Sequence, residues 1–348
     1  MDTPINRSAS VPSWGAGRSA FEPFRPAKQR LALRERRFRA MGCNCHILIL
    51  GATEALLDSG EQRVRELDAC WTRFSPESQL SQFNAQAGED AAISADMRVL
   101  LTRALQGYEL SGGLFDPFLA DQVVAAGYDR DFDELDAVPV TDVAQLAAVA
   151  QTSTTATPPL ASRSQPLPAP LSLAPDGSTA RLAPGSEVDS GGIGKGLGAE
   201  LVADFLIESG ANGVMVNLGG DVAVSGSYPD EGWRIGIDDP LGSSDAGTSV
   251  VLRDGALCTS GILRRRWLTD DGHTAHHIID PSTGRSLESN GFVGVSAIAP
   301  HGWLAEVLTK SVLVGGERVG LELLERFPDC ALLVWDNDAK VRQLSAGG

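Results

Sequence analysis

The chain has 348 residues, 43% of them hydrophobic and 21% charged, enough to bury a sizeable core in one large domain or two smaller ones. Lys plus Arg number 29 against 45 Asp plus Glu, and the resulting net charge of -16 argues against a general nucleic-acid or anionic-membrane binder. Apolar runs such as Ile47–Leu50 are far too short to cross a bilayer.

Residues 1–34 hold Ser, Arg and scattered prolines (Pro12, Pro23, Pro26) with no apolar core of a secretory signal, and are expected to form a disordered tail. The five cysteines, Cys43, Cys45, Cys70, Cys258 and Cys330, are too few and too irregular for a disulfide framework, so the cytoplasm is the expected compartment. Cys43, Cys45 and His46 offer soft metal ligands, but without a second matching pair nearby the two thiols are read as strand residues facing a core.

Alternation over Cys45–Leu50 predicts an early strand, and Leu56, Leu57, Val64, Leu67 and Trp71 predict a helix from Glu54. Ser94 is placed to cap a second helix that runs to Leu110 and stops at Gly112-Gly113. A short helix is expected within 134–150. The Thr-, Ser- and Pro-rich stretch 152–185 reads as a low-complexity loop inserted in the domain. An amphipathic helix follows at Lys195–Ser209, then strands at Val214–Asn217, Arg234–Asp238, Val250–Leu252, His276–Ile279, Val293–Ala297 and Ala331–Trp335. Between the last two lies a helix pair, Trp303–Leu313 and Glu317–Phe327, parted by Gly315-Gly316. Strands in runs predict an α+β fold with mixed or antiparallel sheets rather than a doubly wound parallel one.

Five segments carry the chemistry. Asp189-Ser190-Gly191-Gly192-Ile193-Gly194-Lys195-Gly196 puts four glycines and a lysine at the positive end of a helix, an arrangement suited to a phosphate or pyrophosphate. It is not a Walker A loop, and the dinucleotide-like spacing of Gly194, Gly196 and Ala199 has no clear strand before it. The bland alternative is close backbone packing. Gly219-Gly220, before Asp221, permits either a tight hairpin or close approach to a ligand. Ser260-Gly261 offers hydrogen-bond donors ahead of Arg264, Arg265 and Arg266, of which at least two are expected to be a solvated basic face. His276 and His277 would face opposite sides of a strand, so one imidazole can point into a site and act as a general base. Glu306 and Lys310, four apart, share one helix face, as an ordinary surface ion pair or as the lining of a phosphate or metal site.

In their order these segments resemble the FAD:protein FMN transferase family, the ApbE proteins. The matching stretches are Ala40-Met41-Gly42, Arg73–Ser78 with Asn84, Gly113–Pro117, Val188–Gly196, Val216–Gly220, Thr259–Gly261, His277–Pro281 with Thr283-Gly284, and Ala305–Lys310. The resemblance implies one two-lobed domain over 35–348 that binds FAD in a cleft, splits its pyrophosphate with magnesium, and passes FMN to a Thr or Ser of a target flavoprotein, releasing AMP. It implies that Met41, Phe74, Phe115 and Asp116 contact the flavin or adenine parts. Gly191 and Lys195 would lie along the pyrophosphate, with Gly219, Gly220 and Ser260 also in the binding site. His277 would be the general base, and the Gly194 carbonyl and Glu306 would be magnesium ligands.

The chain departs from the family pattern where an Asp and, four residues on, a Thr or Ser bind the metal: Glu306 and Lys310 stand there. A charged lysine is no ligand, and its ammonium would instead sit where the cation belongs. Cys43, Phe118, Leu263 and Arg264 also replace more usual family residues. The alternatives at this level are an FAD pyrophosphatase, a non-catalytic FAD-binding protein and, with less support, a nicotinamide-dependent oxidoreductase.

Overall fold

The computed structural model describes residues 31–130, 132–135, 137–138, 160, 169–238, 248–269, 272–338 and 340–345. Among these the largest sheet has eight strands: Leu33–Ala40, Cys43–Leu50, Gly213–Leu218, Asp221–Gly226, Gly255–Gly261, Phe292–Ala299, Ala331–Asp336 and Val341–Leu344. They lie in the sheet in chain order, and every pairing in it is antiparallel. The fold is α+β.

Two-residue turns explain much of that order. Met41 and Gly42 join the first two strands with φ of 52° and 60°, and Gly219 and Gly220 join the next two with φ of 66° and 100°. Positive φ at both turn positions matches the twist of an antiparallel hairpin. Gly219-Gly220 thus forms a tight hairpin. A Cβ on Gly219 would also stand 2.8 Å from Cys43 Cβ, so the turn packs against the neighbouring strand.

Helices cover the sheet. Glu54–Trp71 packs on the first two strands, Gly194–Glu208 on the Gly213–Leu218 and Asp221–Gly226 strands, and Gly302–Arg326 on Gly255–Gly261 and Phe292–Ala299. The last of these is the expected helix pair, two helices meeting across a kink at Gly316, which takes φ 74°. Alternation in Cys43–Leu50 buries Cys43, Cys45, Ile47 and Ile49, while His46 lies on the opposite face and bonds Glu35 at 2.7 Å. The two thiols and the imidazole therefore do not converge on one metal.

Three expectations shift. The strand from Leu33 begins inside the tail expected over 1–34, of which residues 1–30 lie outside the described residues. Part of the 152–185 insertion is strand: Leu171–Leu173 and Thr179–Leu182 pair with each other, and the latter also with Asp90–Ala92. Leu171, Ala180 and Leu182 supply buried side chains that the surrounding Pro, Ser and Thr had masked in the composition. The His276–Ile279 strand is broken, since Thr274–His276 pairs with Arg266–Leu268 and Ile279–Asp280 with Arg285–Ser286, leaving His277 and Ile278 between them. The helix expected within 134–150 falls almost wholly outside the described residues.

Candidate active site

A cleft partly open to solvent is lined by Phe115, Asp116, Tyr128, Asp189, Gly191, Gly192, Arg265, His277 and Lys310 among others. Residues spread over nearly two hundred positions of the chain meet there.

The glycine loop is fixed before it reaches the cleft. Asn84 holds Val188 through both backbone groups, donating Nδ2–H to its carbonyl at 2.9 Å and accepting its N–H at 3.0 Å. Asp189 N–H donates to the Pro117 carbonyl, Ser190 Oγ donates to the Trp71 carbonyl, and Gly191 N–H donates to Asp189 Oδ1 at 2.8 Å. Close packing is also part of the glycine pattern. A Cβ on Gly196 would sit 2.5 Å from the Gly302 carbonyl oxygen and 2.9 Å from Cys258 Sγ. Gly196 is therefore where two helices cross, and the dinucleotide-like spacing has a structural origin; no strand directly precedes it, the nearest ending at Leu182.

Beyond the loop lies a charged network. The helix that starts at Gly194 has no side-chain cap of its own, and Glu306 Oε2 from the late helix accepts the Gly196 N–H at 2.7 Å. Glu306 Oε1 lies 3.3 Å from Lys310 Nζ and 3.6 Å from Lys195 Nζ. Lys195 also pairs with Asp221, whose other oxygen accepts the Thr259 N–H at 3.1 Å. Lys310 Nζ lies 3.3 Å from Ser260 Oγ, which is 2.8 Å from Thr309 Oγ1. The Glu306–Lys310 pair is thus not a surface pair: Glu306 is 1% exposed and Lys310 14%. Burial works against the Lys195 ammonium, but the Asp221 and Glu306 carboxylates outweigh it and raise its pKa.

The two histidines separate, His276 ending a strand and His277 following it outside the strand. His276 is buried, with Nε2 2.9 Å from the Leu287 carbonyl and Nδ1 accepting the Ile278 N–H at 3.3 Å. Burial, and then the nearby Arg266 charge, push its pKa down to about 4. His277 lines the cleft, and its Nδ1 is buried with no hydrogen-bond partner among the described residues. Burial first, then the positive charge of Arg265, holds this imidazole well below its ordinary pKa, so it is neutral at pH 7.

The remaining expected residues border these groups. The Phe115 ring is buried, and a Cβ on Gly192 would meet it at 3.1 Å. Asp116 lines the cleft, and burial raises its pKa. Phe74 is 44% exposed and lies 5.9 Å from the cleft residue Tyr128, with Arg73 stacked on both rings and 3.7 Å from Asp189. Gly219 packs near Lys195, and Met41 near Gly198. Met41 holds a positive φ, and its N–H donates to Asp68 Oδ2 at 2.8 Å.

Three members of the site were not anticipated as such. Asp221 was noted only as the residue after a turn, although a carboxylate directly following a glycine pair at a phosphate-type loop is a readable signal. Tyr128 has no local pattern. Of the three arginines, at least two are expected on a solvated face, and only one is found there. Arg264 is exposed and pairs with Asp238, Arg265 lines the cleft, and Arg266 is buried against the Ile262 carbonyl.

With that geometry in hand, comparison with known proteins identifies the lineage. The ApbE family model matches residues 41–334. The chain belongs to the ApbE family. It is 32% identical over 284 residues to the FAD:protein FMN transferase of Treponema pallidum (strain Nichols), covering 78% of this chain and 74% of that one. Among solved structures it is similar to the flavin transferase ApbE from Vibrio cholerae, at 25% identity and a TM-score of 0.70 over 91% of this chain and 98% of that one. It shares its fold with the ApbE protein of Thermotoga maritima MSB8, at 22% identity and a TM-score of 0.71 over 90% and 97%.

One ApbE-based expectation does not suit the side chains present. Magnesium wants near-octahedral oxygen ligands and keeps several waters. Both Glu306 oxygens are engaged, by a backbone N–H and by two ammonium groups, and among the described residues no group of three His, Cys, Asp or Glu side chains is set to hold a metal. The donor set does not fit the ion.

Proposed function

We propose that this ApbE-family chain is an FAD:protein FMN transferase. It would cleave the FAD pyrophosphate and join FMN through a phosphoester to a Thr or Ser of an acceptor flavoprotein, with release of AMP. The observation that carries the reading is one cleft holding both a neutral imidazole, His277, and the cations Lys310 and Arg265, with Lys195 joined to Lys310 through Glu306.

In this reading the glycine loop lets the pyrophosphate approach the backbone closely and the three cations hold it. Phe115 and Asp116 shape the adjoining wall, and Phe74 and Met41 flank the flavin or adenine parts. His277 accepts the proton of the acceptor hydroxyl as its oxygen attacks the phosphorus on the FMN side. The anhydride P–O bond breaks, and its electron pair stays on the AMP phosphate, where the cations offset the developing charge. Hydrolysis to FMN and AMP would follow the same path with water as the nucleophile, so the acceptor decides between the two outcomes. The nicotinamide reading loses its main support, because Gly196 is explained by the helix crossing.

All five cysteines are free thiols, and no helix among the described residues is long and apolar enough to cross a membrane. The test is incubation of the purified protein with FAD and chromatography for AMP. AMP release that is lost in His277→Ala, with FAD binding retained, supports the reading. FAD bound but never cleaved, with acceptor present, would make the protein a carrier.

A further inference from the structure

The lysine on the late helix suggests how the pyrophosphate is neutralised. Lys310 projects from the same helix face as Glu306, one turn on, and a Cβ on Gly192 would lie 3.7 Å from its Cε, so its stem runs beside the glycine loop. Its ammonium lines the cleft, within 3.3 Å of both Glu306 Oε1 and Ser260 Oγ. Lys195 reaches the same Glu306 oxygen from the other side.

We infer that in this protein the Lys310 ammonium takes the place of a divalent cation, and that FAD is bound and cleaved without one. The inference rests on the transferase reading for the identity of the ligand. Its own basis is electrostatic. Lys195 and Lys310 share the Glu306 carboxylate, and Lys195 also pairs with Asp221, so Glu306 is already matched by ammonium charge before any ion arrives, while Arg265 lines the cleft nearby. A magnesium ion would have to approach two ammonium groups to reach a carboxylate they already share. A pyrophosphate, in contrast, brings anionic oxygens to which the Lys310 ammonium and the Arg265 guanidinium on the cleft lining can donate. The reaction still balances: the hydroxyl proton goes to His277 and the P–O electron pair to AMP, with Lys310 donating hydrogen bonds to phosphate oxygens.

The test separates the metal from the flavin. Magnesium titrated alone into the protein, followed by calorimetry, should reveal no site. FAD affinity, read by flavin fluorescence, should agree within about twofold between EDTA and magnesium. Lys310→Met should weaken FAD binding by about tenfold or more, and Lys310→Arg, which keeps the charge, should largely restore it. Magnesium stimulation of FAD binding or turnover by about tenfold or more in the unaltered protein would overturn the inference. So would a Lys310→Met protein, shown to be folded by its unfolding transition, with unchanged FAD affinity. Failure to bind FAD under either condition would overturn the transferase reading itself, and this inference with it.

Discussion

Replacing Glu306 with Gln removes one negative charge from a side chain that is 1% exposed, while keeping its shape. The bond from the Gly196 N–H survives in kind, because an amide oxygen also accepts. Lys310 and Lys195, at 3.3 and 3.6 Å, lose their shared counter-charge. Removing one partner of a buried pair costs about 3–5 kcal/mol. Here Lys195 keeps Asp221, and the two lysines retain 21% and 14% exposure, so the expected loss is nearer 2–3 kcal/mol, about 1 M in urea midpoint. For the ligand the sign reverses. A unit charge felt across roughly 8 Å at an effective dielectric of about 40 is worth about 1 kcal/mol, so FAD should bind about fivefold tighter. The assay is urea unfolding by tryptophan fluorescence beside FAD binding by flavin fluorescence, both in EDTA. Unchanged stability, or weaker FAD binding, would refute Glu306 as the counter-ion of the two lysines.

Other outcomes follow from the same geometry. Gly196→Ala places a methyl group 2.5 Å from the Gly302 carbonyl, a backbone atom that cannot swing away, and should cost about 2–4 kcal/mol in unfolding free energy while loosening FAD binding; a neutral result would show that the helix crossing is less tight than described. His277→Ala should lower kcat by about 10²–10⁴ with FAD affinity nearly intact, and the acid limb of kcat/KM in the parent should lie below the usual histidine range because the free imidazole is neutral there. His276 gives a stability signature of definite sign. Its folded pKa of about 4 lies below the unfolded value of 6.5, so the unfolded chain binds the extra proton first. Its contribution is fully present above pH 6.5 and is lost as pH falls towards 4, by about 3 kcal/mol in all. Thermal unfolding of the parent and His276→Gln across that window should show the slope shrinking in the variant.

Much of this site was legible because its pieces are local. The glycine run before Lys195, the histidine pair and the Glu306–Lys310 spacing each name a chemistry within a few residues. Helix limits were equally local: Ser94 caps at the expected place, and the Glu54–Trp71 helix has the expected bounds. What stayed hidden was set by partners far along the chain. Nothing near Glu306 says that it would cap a helix 110 residues earlier, which is why an ordinary surface pair was a fair reading of the spacing. Arg265 differs from its two neighbours only in direction, and direction depends on the pairing of Arg266–Leu268 with Thr274–His276. Leu171, Ala180 and Leu182 could not stand out from a Pro- and Thr-rich stretch, because a three-stranded sheet needs only a few apolar positions per strand.

The most direct measurement of the central claim is intact-mass spectrometry of a flavoprotein domain bearing a Thr or Ser flavinylation site, after incubation with this protein and FAD in EDTA. A mass gain of one FMN phosphoryl group on that hydroxyl, with an equal amount of AMP released, is the predicted result. FMN and AMP appearing free in solution while the acceptor mass stays unchanged would contradict it and leave a hydrolase in its place.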